Sequence, residues 1–238
     1  MKYNKVGIIC AMPREADLIL RALSQKAEEK VGDLSFYRGK IGEKEVILSV
    51  CGIGKVFAAV CAQTMILLYA PDCLINSGVA GSLTDDLAIL DVALAENLVQ
   101  HDMDTSPLGD PVGMISGINL IHLPASDSLR RCVQEEAASL GIRTRCGTIA
   151  SGDQFIANKE QKDRIKRHFA AIACEMEGAA IAQTAYLNRI PFACIRAISD
   201  SFSGQNEMDY ALFAEQAAER SAALLTAVLK QGARDWET

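Results

Sequence analysis

Two carboxylates flank a single methionine at Glu175-Met176-Glu177, and further along the chain reads Arg196-Ala197-Ile198-Ser199-Asp200. Each stretch stands at the polar end of an apolar run with the length and composition of a buried strand. These runs are Ala171 to Cys174 and Pro191 to Ile198, and Gly178 to Asn188 reads as the helix between them. In an open α/β sheet the carboxyl ends of neighbouring parallel strands face one crevice, so these acids are expected to meet there. Charge is costly beside apolar strands without a partner or a job. Carboxylates in differing surroundings can also divide acid and base work between them. This part of the chain is the expected seat of chemistry.

Other small-residue turns follow expected strands. Asn76-Ser77-Gly78-Val79-Ala80-Gly81-Ser82 reads either as a turn whose N–H groups approach a ligand or as a plain tight turn. It is not G-x-G-x-x-G and no G-K-[ST] follows, so neither a dinucleotide site nor a P-loop is supported. Cys51-Gly52-Ile53-Gly54-Lys55 is a second turn of the kind, and together the two favour a shared ligand floor. In Ala11-Met12-Pro13-Arg14-Glu15-Ala16, Pro13 suits a first helical position and Glu15 suits the positive end of the helix. The alternative for Glu15 is a base that activates water above the same crevice. Phe155, in Ser151-Gly152-Asp153-Gln154-Phe155-Ile156, reads as a core aromatic or as a platform for a planar ring. Asp200 is a possible helix N-cap, but the helical pattern resumes several residues later, which favours function there.

The elements that must position these residues alternate. Strands are expected at Val6 to Cys10, Glu45 to Val50, Cys73 to Asn76, Val92 to Val99, Arg145 to Ala150, Ala171 to Cys174 and Phe192 to Ile198. Helices are expected at Arg14 to Ser24, Lys55 to Tyr69, Ser126 to Leu140, Ala157 to Phe169, Gly178 to Asn188 and Met208 to about Lys230. Such alternation predicts an α/β fold, a mostly parallel sheet with helices on both faces. Leu34 to Ile41 and Glu45 to Val50 read as a local hairpin. No repeat or linker interrupts the chain, so residues 1–238 are expected to form one domain. Thr105 to Gly117, rich in Pro, Gly and Asp, is the one long irregular loop, a kind often functional in compact domains.

Half of the 238 residues are hydrophobic, enough for a large core, and the net charge is -6. That balance, without a Lys/Arg run, argues against nucleic acid as a partner. Arg164 to Arg167 is the nearest to such a run and reads as a solvated helix face. The first apolar stretch is too short for a signal peptide, and none reaches membrane-spanning length. Eight scattered cysteines without a C-x-x-C pair read as buried free thiols of a cytoplasmic protein. Three distant histidines give a metal site little to stand on.

The residues also carry a resemblance. Gly7-Ile8-Ile9-Cys10-Ala11-Met12, Gly52-Ile53-Gly54-Lys55-Val56, Asn76 to Gly81, Ser151 to Ile156, Glu175-Met176-Glu177 and Arg196 to Asp200 occur in the order found in 5'-methylthioadenosine/S-adenosylhomocysteine nucleosidases. The resemblance covers nearly the whole chain. It implies the nucleoside phosphorylase-like fold, a central mixed β-sheet surrounded by α-helices, and a homodimer. It also implies Asp200 as the acid for adenine N7, steadied by Ser199, and Glu15 as the water-activating carboxylate. Glu177 would grip the ribose hydroxyls over Met176, and Phe155 and Ile156 would hold adenine. Met12, Ile53 and Arg196 would line or order the site, Arg196 as a partner for the nearby carboxylates. Three departures bear on the 5'-substituent: Val79 replaces a hydroxyl-bearing residue, Leu108 and Asp110 stand where aromatics are frequent, and Tyr210 takes a phenylalanine position.

The residue types suit that chemistry without the resemblance. N-ribosidic cleavage passes through an oxocarbenium-like sugar, so the leaving purine must be neutralised and a weak nucleophile placed. A protonated Asp and an ionised Glu can do this with neither metal nor redox cofactor. The rivals are a phosphorylase of the same fold, a futalosine-type hydrolase and a non-catalytic nucleoside-binding or storage protein. A phosphorylase needs converging cations or N–H donors for phosphate, and Arg14 is the one arginine in the N-terminal turn.

Overall fold

The apolar runs become strands that bury both faces, because helices cover the sheet on either side. The computed structural model describes residues 3–203 and 206–231. In chain order the elements are β1 (Lys5–Cys10), α1 (Pro13–Ala22), β2 (Ser24–Val31), β3 (Leu34–Ile41), β4 (Lys44–Val50), α2 (Lys55–Tyr69), β5 (Cys73–Ser82) and β6 (Val92–Gln100). There follow β7 (Leu123–Pro124), α3 (Asp127–Ser139), β8 (Thr144–Ser151), α4 (Lys159–Phe169), β9 (Ala171–Glu175), α5 (Gly178–Asn188), β10 (Phe192–Asp200) and α6 (Asn206–Lys230). Alternation along β1 shows the layering. Val6, Ile8 and Cys10 pack into one core with α1, α3 and α6, whereas Ile9 packs into the other with α2 and α5. No helix among the described residues is long and apolar enough to cross a membrane.

The sheet is mixed, and at one end it closes on itself. Its order is β10-β6-β8-β9-β5-β1-β4-β3-β2, and β10 also pairs with β5. Strands β10, β6, β8, β9 and β5 therefore form a ring, from which β1, β4, β3 and β2 extend. The expected hairpin is β3–β4, antiparallel with Ile41 opposite Lys44.

Three expectations need correction. First, Ser24 opens a strand, β2, which runs antiparallel to β3 at the sheet edge. Its sequence, SQKAEEKV, is exposed along nearly its whole length and so carries no apolar signal. Second, Asn76 to Ser82 is not a turn, because β5 continues through it to Ser82. Third, the strands that end at Glu175 and Asp200 are not parallel neighbours. Both pair with β5, β9 antiparallel and β10 parallel, and they converge where Cys174 and Asp200 both lie opposite Gly81. The acids meet on a shared central strand and not at a row of parallel strand ends.

Candidate active site

Glu15 is held at the start of α1 by its own chain. Pro13 fixes the first turn, and Met12 just before it is extended, at φ -124° and ψ 150°. The Glu15 carboxylate turns back so that Oε2 accepts the N–H groups of Ala11 at 2.8 Å and Met12 at 2.9 Å. Its Oε1 accepts the N–H of Val79, on β5, at 3.1 Å. Glu15 is only 1% exposed, and burial pushes its carboxyl above the usual range against the pull of Arg196 and these N–H donors.

Arg196 lies beneath the site. Its Nη2 donates to Asn76 Oδ1 and to Glu175 Oε2, approaches Glu177 Oε2 at 3.7 Å, and its Nη1 reaches the Val79 carbonyl at 3.4 Å. The guanidinium is buried and is not part of the cavity wall; it stands below, among the carboxylates for which the resemblance implies it as a partner.

The paired acids of the Glu-Met-Glu stretch have different surroundings. Glu175 is occupied on all sides by Arg196, the Ser151 hydroxyl and the N–H groups of Glu177 and Gly178 at the start of α5. Glu177 has fewer partners. Its Oε1 accepts the Gly54 N–H at 2.8 Å, and Arg196 stands farther off. Burial first, then the neighbouring Glu175 charge, raise the Glu177 carboxyl to about 7, opposed by Arg196 and Gly54.

Asp200 ends β10 beside a bulge. Ile198 pairs with Ala80 and Asp200 with Gly81, so Ser199 is the extra residue that re-aims the strand end. Oδ1 accepts the Ser199 hydroxyl at 3.1 Å, and Oδ2 accepts Lys162 Nζ at 2.8 Å. Burial raises the Asp200 carboxyl, Lys162 and Ser199 lower it, and Asp209 raises it further; the net direction is upward.

The two glycines of the supposed turn have another purpose. A Cβ on Gly78 would collide with Arg196 Nη1 and the Glu15 carboxylate, and one on Gly81 would stand 2.8 Å from Asp200 Oδ2. Bare backbone at these two positions makes room for the charged groups.

Glu15, Glu177 and Asp200 open on one cavity, whose wall also includes Met12, Ile53, Val79, Phe155, Ile156, Met176, Ser199 and Tyr210. Phe155 is half exposed and is therefore no core aromatic; its ring meets that of Tyr210 edge-on at 5.4 Å. The Tyr210 hydroxyl lies 3.6 Å from Met12 Sδ. Val79 serves through its backbone, which contacts both Glu15 and Arg196. Leu108 and Asp110 do not line the cavity: Leu108 is 85% exposed, and Asp110 accepts hydroxyls of Thr105 and Ser116. Sequence reasoning singled out the stretches of Asn76 and Ser151 without giving these two residues a role, and it missed Lys162. Lys162 had a signal, since with Ile165 and Phe169 it falls on the buried stripe of α4.

Known proteins match this chain over nearly its whole length. The phosphorylase superfamily pattern matches residues 5–230. A 5'-methylthioadenosine/S-adenosylhomocysteine nucleosidase of Staphylococcus aureus is 36% identical over 95% of this chain and 99% of its own. The Neisseria meningitidis nucleosidase of the same name, solved with methylthio-immucillin-A, superimposes with a TM-score of 0.91 at 32% identity, covering 95% of this chain and 99% of that one. Futalosine hydrolase of Helicobacter pylori superimposes equally well, TM-score 0.91 at 36% identity, covering 96% and 98%.

The raised Glu177 carboxyl has a stability consequence. A carboxyl raised from 4.5 when unfolded to about 7 when folded favours the fold fully below pH 4.5, and this advantage is lost as pH rises through about 7. Relative to Glu177→Gln, the wild-type melting temperature should therefore fall between these pH values and level off above. A difference independent of pH would show that Glu177 titrates normally.

Proposed function

The chain belongs to the phosphorylase superfamily, within its 5'-methylthioadenosine/S-adenosylhomocysteine nucleosidase family, and we propose that it hydrolyses the N-ribosidic bond of these two nucleosides to release adenine. The observation that carries this reading is the placement of Glu15 and Asp200 on one cavity wall. Glu15 meets β5 at Gly78 and Val79, Asp200 meets it at Gly81, and both carboxylates border the one cavity from that strand, as an acid and a base acting on one bond require.

In the proposed reaction Asp200, protonated, gives its proton to N7 as the glycosidic bond breaks, and the bonding pair leaves with adenine. Glu15, ionised, takes a proton from water while the oxygen joins the anomeric carbon. It already accepts three N–H bonds, and a carboxylate has lone-pair capacity for one more. Glu177 accepts from the ribose hydroxyls and favours positive charge on the sugar. Phe155 and Tyr210 offer flat surfaces to the base, and Met176 packs beneath the sugar. Since Glu15 and Glu177 must be ionised and Asp200 protonated, activity rises with pH through the two glutamates, Glu177 at about 7, and falls through Asp200.

Water is favoured over phosphate as the nucleophile because Glu15 occupies the N–H groups of Ala11, Met12 and Val79 that an anion would need. A binding or storage protein has no need for an acid and a base at opposite ends of its ligand. A futalosine-type substrate is the second reading, favoured by the 36% identity to the Helicobacter pylori hydrolase. It requires the same machinery and a different 5'-pocket. We also propose a homodimer and a cytoplasmic location. Helix α2 buries Ala58, Cys61, Ala62 and Met65 but exposes Val56, Phe57, Val60, Leu67 and Leu68. Ile53, half exposed on the cavity rim, continues that apolar face, so a second copy seated there would shield the face and bound the cavity mouth.

Three measurements follow from this reading. Free adenine should appear from methylthioadenosine in phosphate-free buffer, with futalosine, adenosine and inosine run beside it; release only on adding phosphate would make the protein a phosphorylase. Asp200→Asn should lower kcat by at least roughly 100-fold with little change in KM or melting temperature. A loss confined to KM would assign Asp200 to uniform binding. Sedimentation at micromolar concentration should show a dimer, and a monomer throughout that range would remove the role of the α2 face.

A further inference from the structure

Lys162 is fully buried, at 0% exposure, in a helix whose other lysines reach the surface or lie over the Phe202 ring. A buried ammonium is costly unless it is paired and hydrogen-bonded. Its Nζ lies 2.8 Å from Asp200 Oδ2 and 2.7 Å from the Ser201 carbonyl. Asp200 and Ser199 line the cavity, whereas Lys162 does not. The lysine therefore touches the acid from behind, out of reach of anything bound in front. Other groups facing the pair, among the described residues, include Cys174 on β9, whose thiol burial pushes up to about 12, and Asp209 and Tyr210 on α6. None of these three is a cation.

We propose that Lys162 is a positioning residue for the acid: its ammonium anchors one Asp200 oxygen from outside the cavity and stabilises the carboxylate that remains after the proton is given up. This rests on the reading of Asp200 as the acid. In the transfer, the Asp200 O–H bond breaks, the N7–H bond forms, and the glycosidic electron pair goes to the purine. Lys162 keeps all of its protons, and Asp200 ends as a carboxylate against the ammonium. Two opposing demands are met together. Burial makes Asp200 hold its proton more firmly than an ordinary carboxyl, and the cation makes that proton easier to lose once a weak base such as a purine nitrogen stands in front. Without Lys162 the proton would be retained over a wider pH range but delivered less readily.

The signature is a pair of changes in opposite senses. In Lys162→Met, which keeps chain length without charge, plateau kcat should fall by about 10-fold or more, from the weakened acid. The high-pH limb of kcat/KM should move upward by about 1 pH unit or more, the usual effect of removing an opposite charge at this distance. Lys162→Gln should behave alike and serves if the Met variant fails to fold. A lower plateau with an unmoved limb would mean a merely structural lysine, and a limb displaced downward would contradict the pairing; either overturns the proposal. A readout free of turnover separates this from the proposed reaction. Carbon-13 NMR of labelled aspartate carboxyls, with Asp200→Asn to identify the signal, should show the Asp200 midpoint rising in Lys162→Met. If the wild-type protein releases no base from any nucleoside, the proposed function fails alone. The NMR midpoint then decides the electrostatic role of Lys162, a rise sustaining it and an unmoved midpoint overturning it.

Discussion

One buried guanidinium serves more carboxylates than it can neutralise. Arg196 contacts Glu175 and Glu177, and its field reaches Glu15, all in surroundings where burial disfavours charge. The excess must be balanced by other means, and the local fold supplies a different one for each acid. Glu175 takes the start of α5 and a serine hydroxyl, Glu15 takes the N–H groups at the start of α1 and one from β5, and Glu177 is left to hold a proton to about 7. Glu15 and Glu177 are thus both raised, but by different balances of burial, N–H donors and neighbouring charge, and acids in unlike surroundings can divide labour.

The backbone of β5 is what lets these groups come so close. It pairs with β1 and β10 in parallel and with β9 in the antiparallel sense, so three ladders converge on it. Side chains at Gly78 and Gly81 would fill the space that Glu15, Arg196 and Asp200 occupy. The bulge at Ser199 completes the arrangement by bringing Asp200 opposite Gly81. Helix starts, a glycine strand and a bulge act here as a single device for packing charge.

Much of this was legible in the sequence, and the failures have physical causes. Strongly apolar strands and α2 were readable because burial on two faces demands unbroken hydrophobicity, and the acids were conspicuous beside them. Strand β2 was hidden because an exposed edge makes no such demand, and its polar residues look like a helix tail. The glycines of β5 were misread because a small-residue run signals turns more often than it signals crowding. Lys162 disappeared among the charges of α4, where only its position on the Ile165 and Phe169 stripe set it apart.

The closure of the sheet at one end leaves β2 as its long free edge among the described residues. An open edge is a template on which further strands can add, and proteins with such edges risk uncontrolled stacking. Lys26, Glu28, Glu29 and Lys30 all stand exposed along β2, and the ladder is broken near Gln25, at φ 54°. Mixed charges and a kink make that edge a poor template. Growth of the molecule by strand addition is thereby discouraged, and any contact between copies is left to the helical faces, where it can be limited in number.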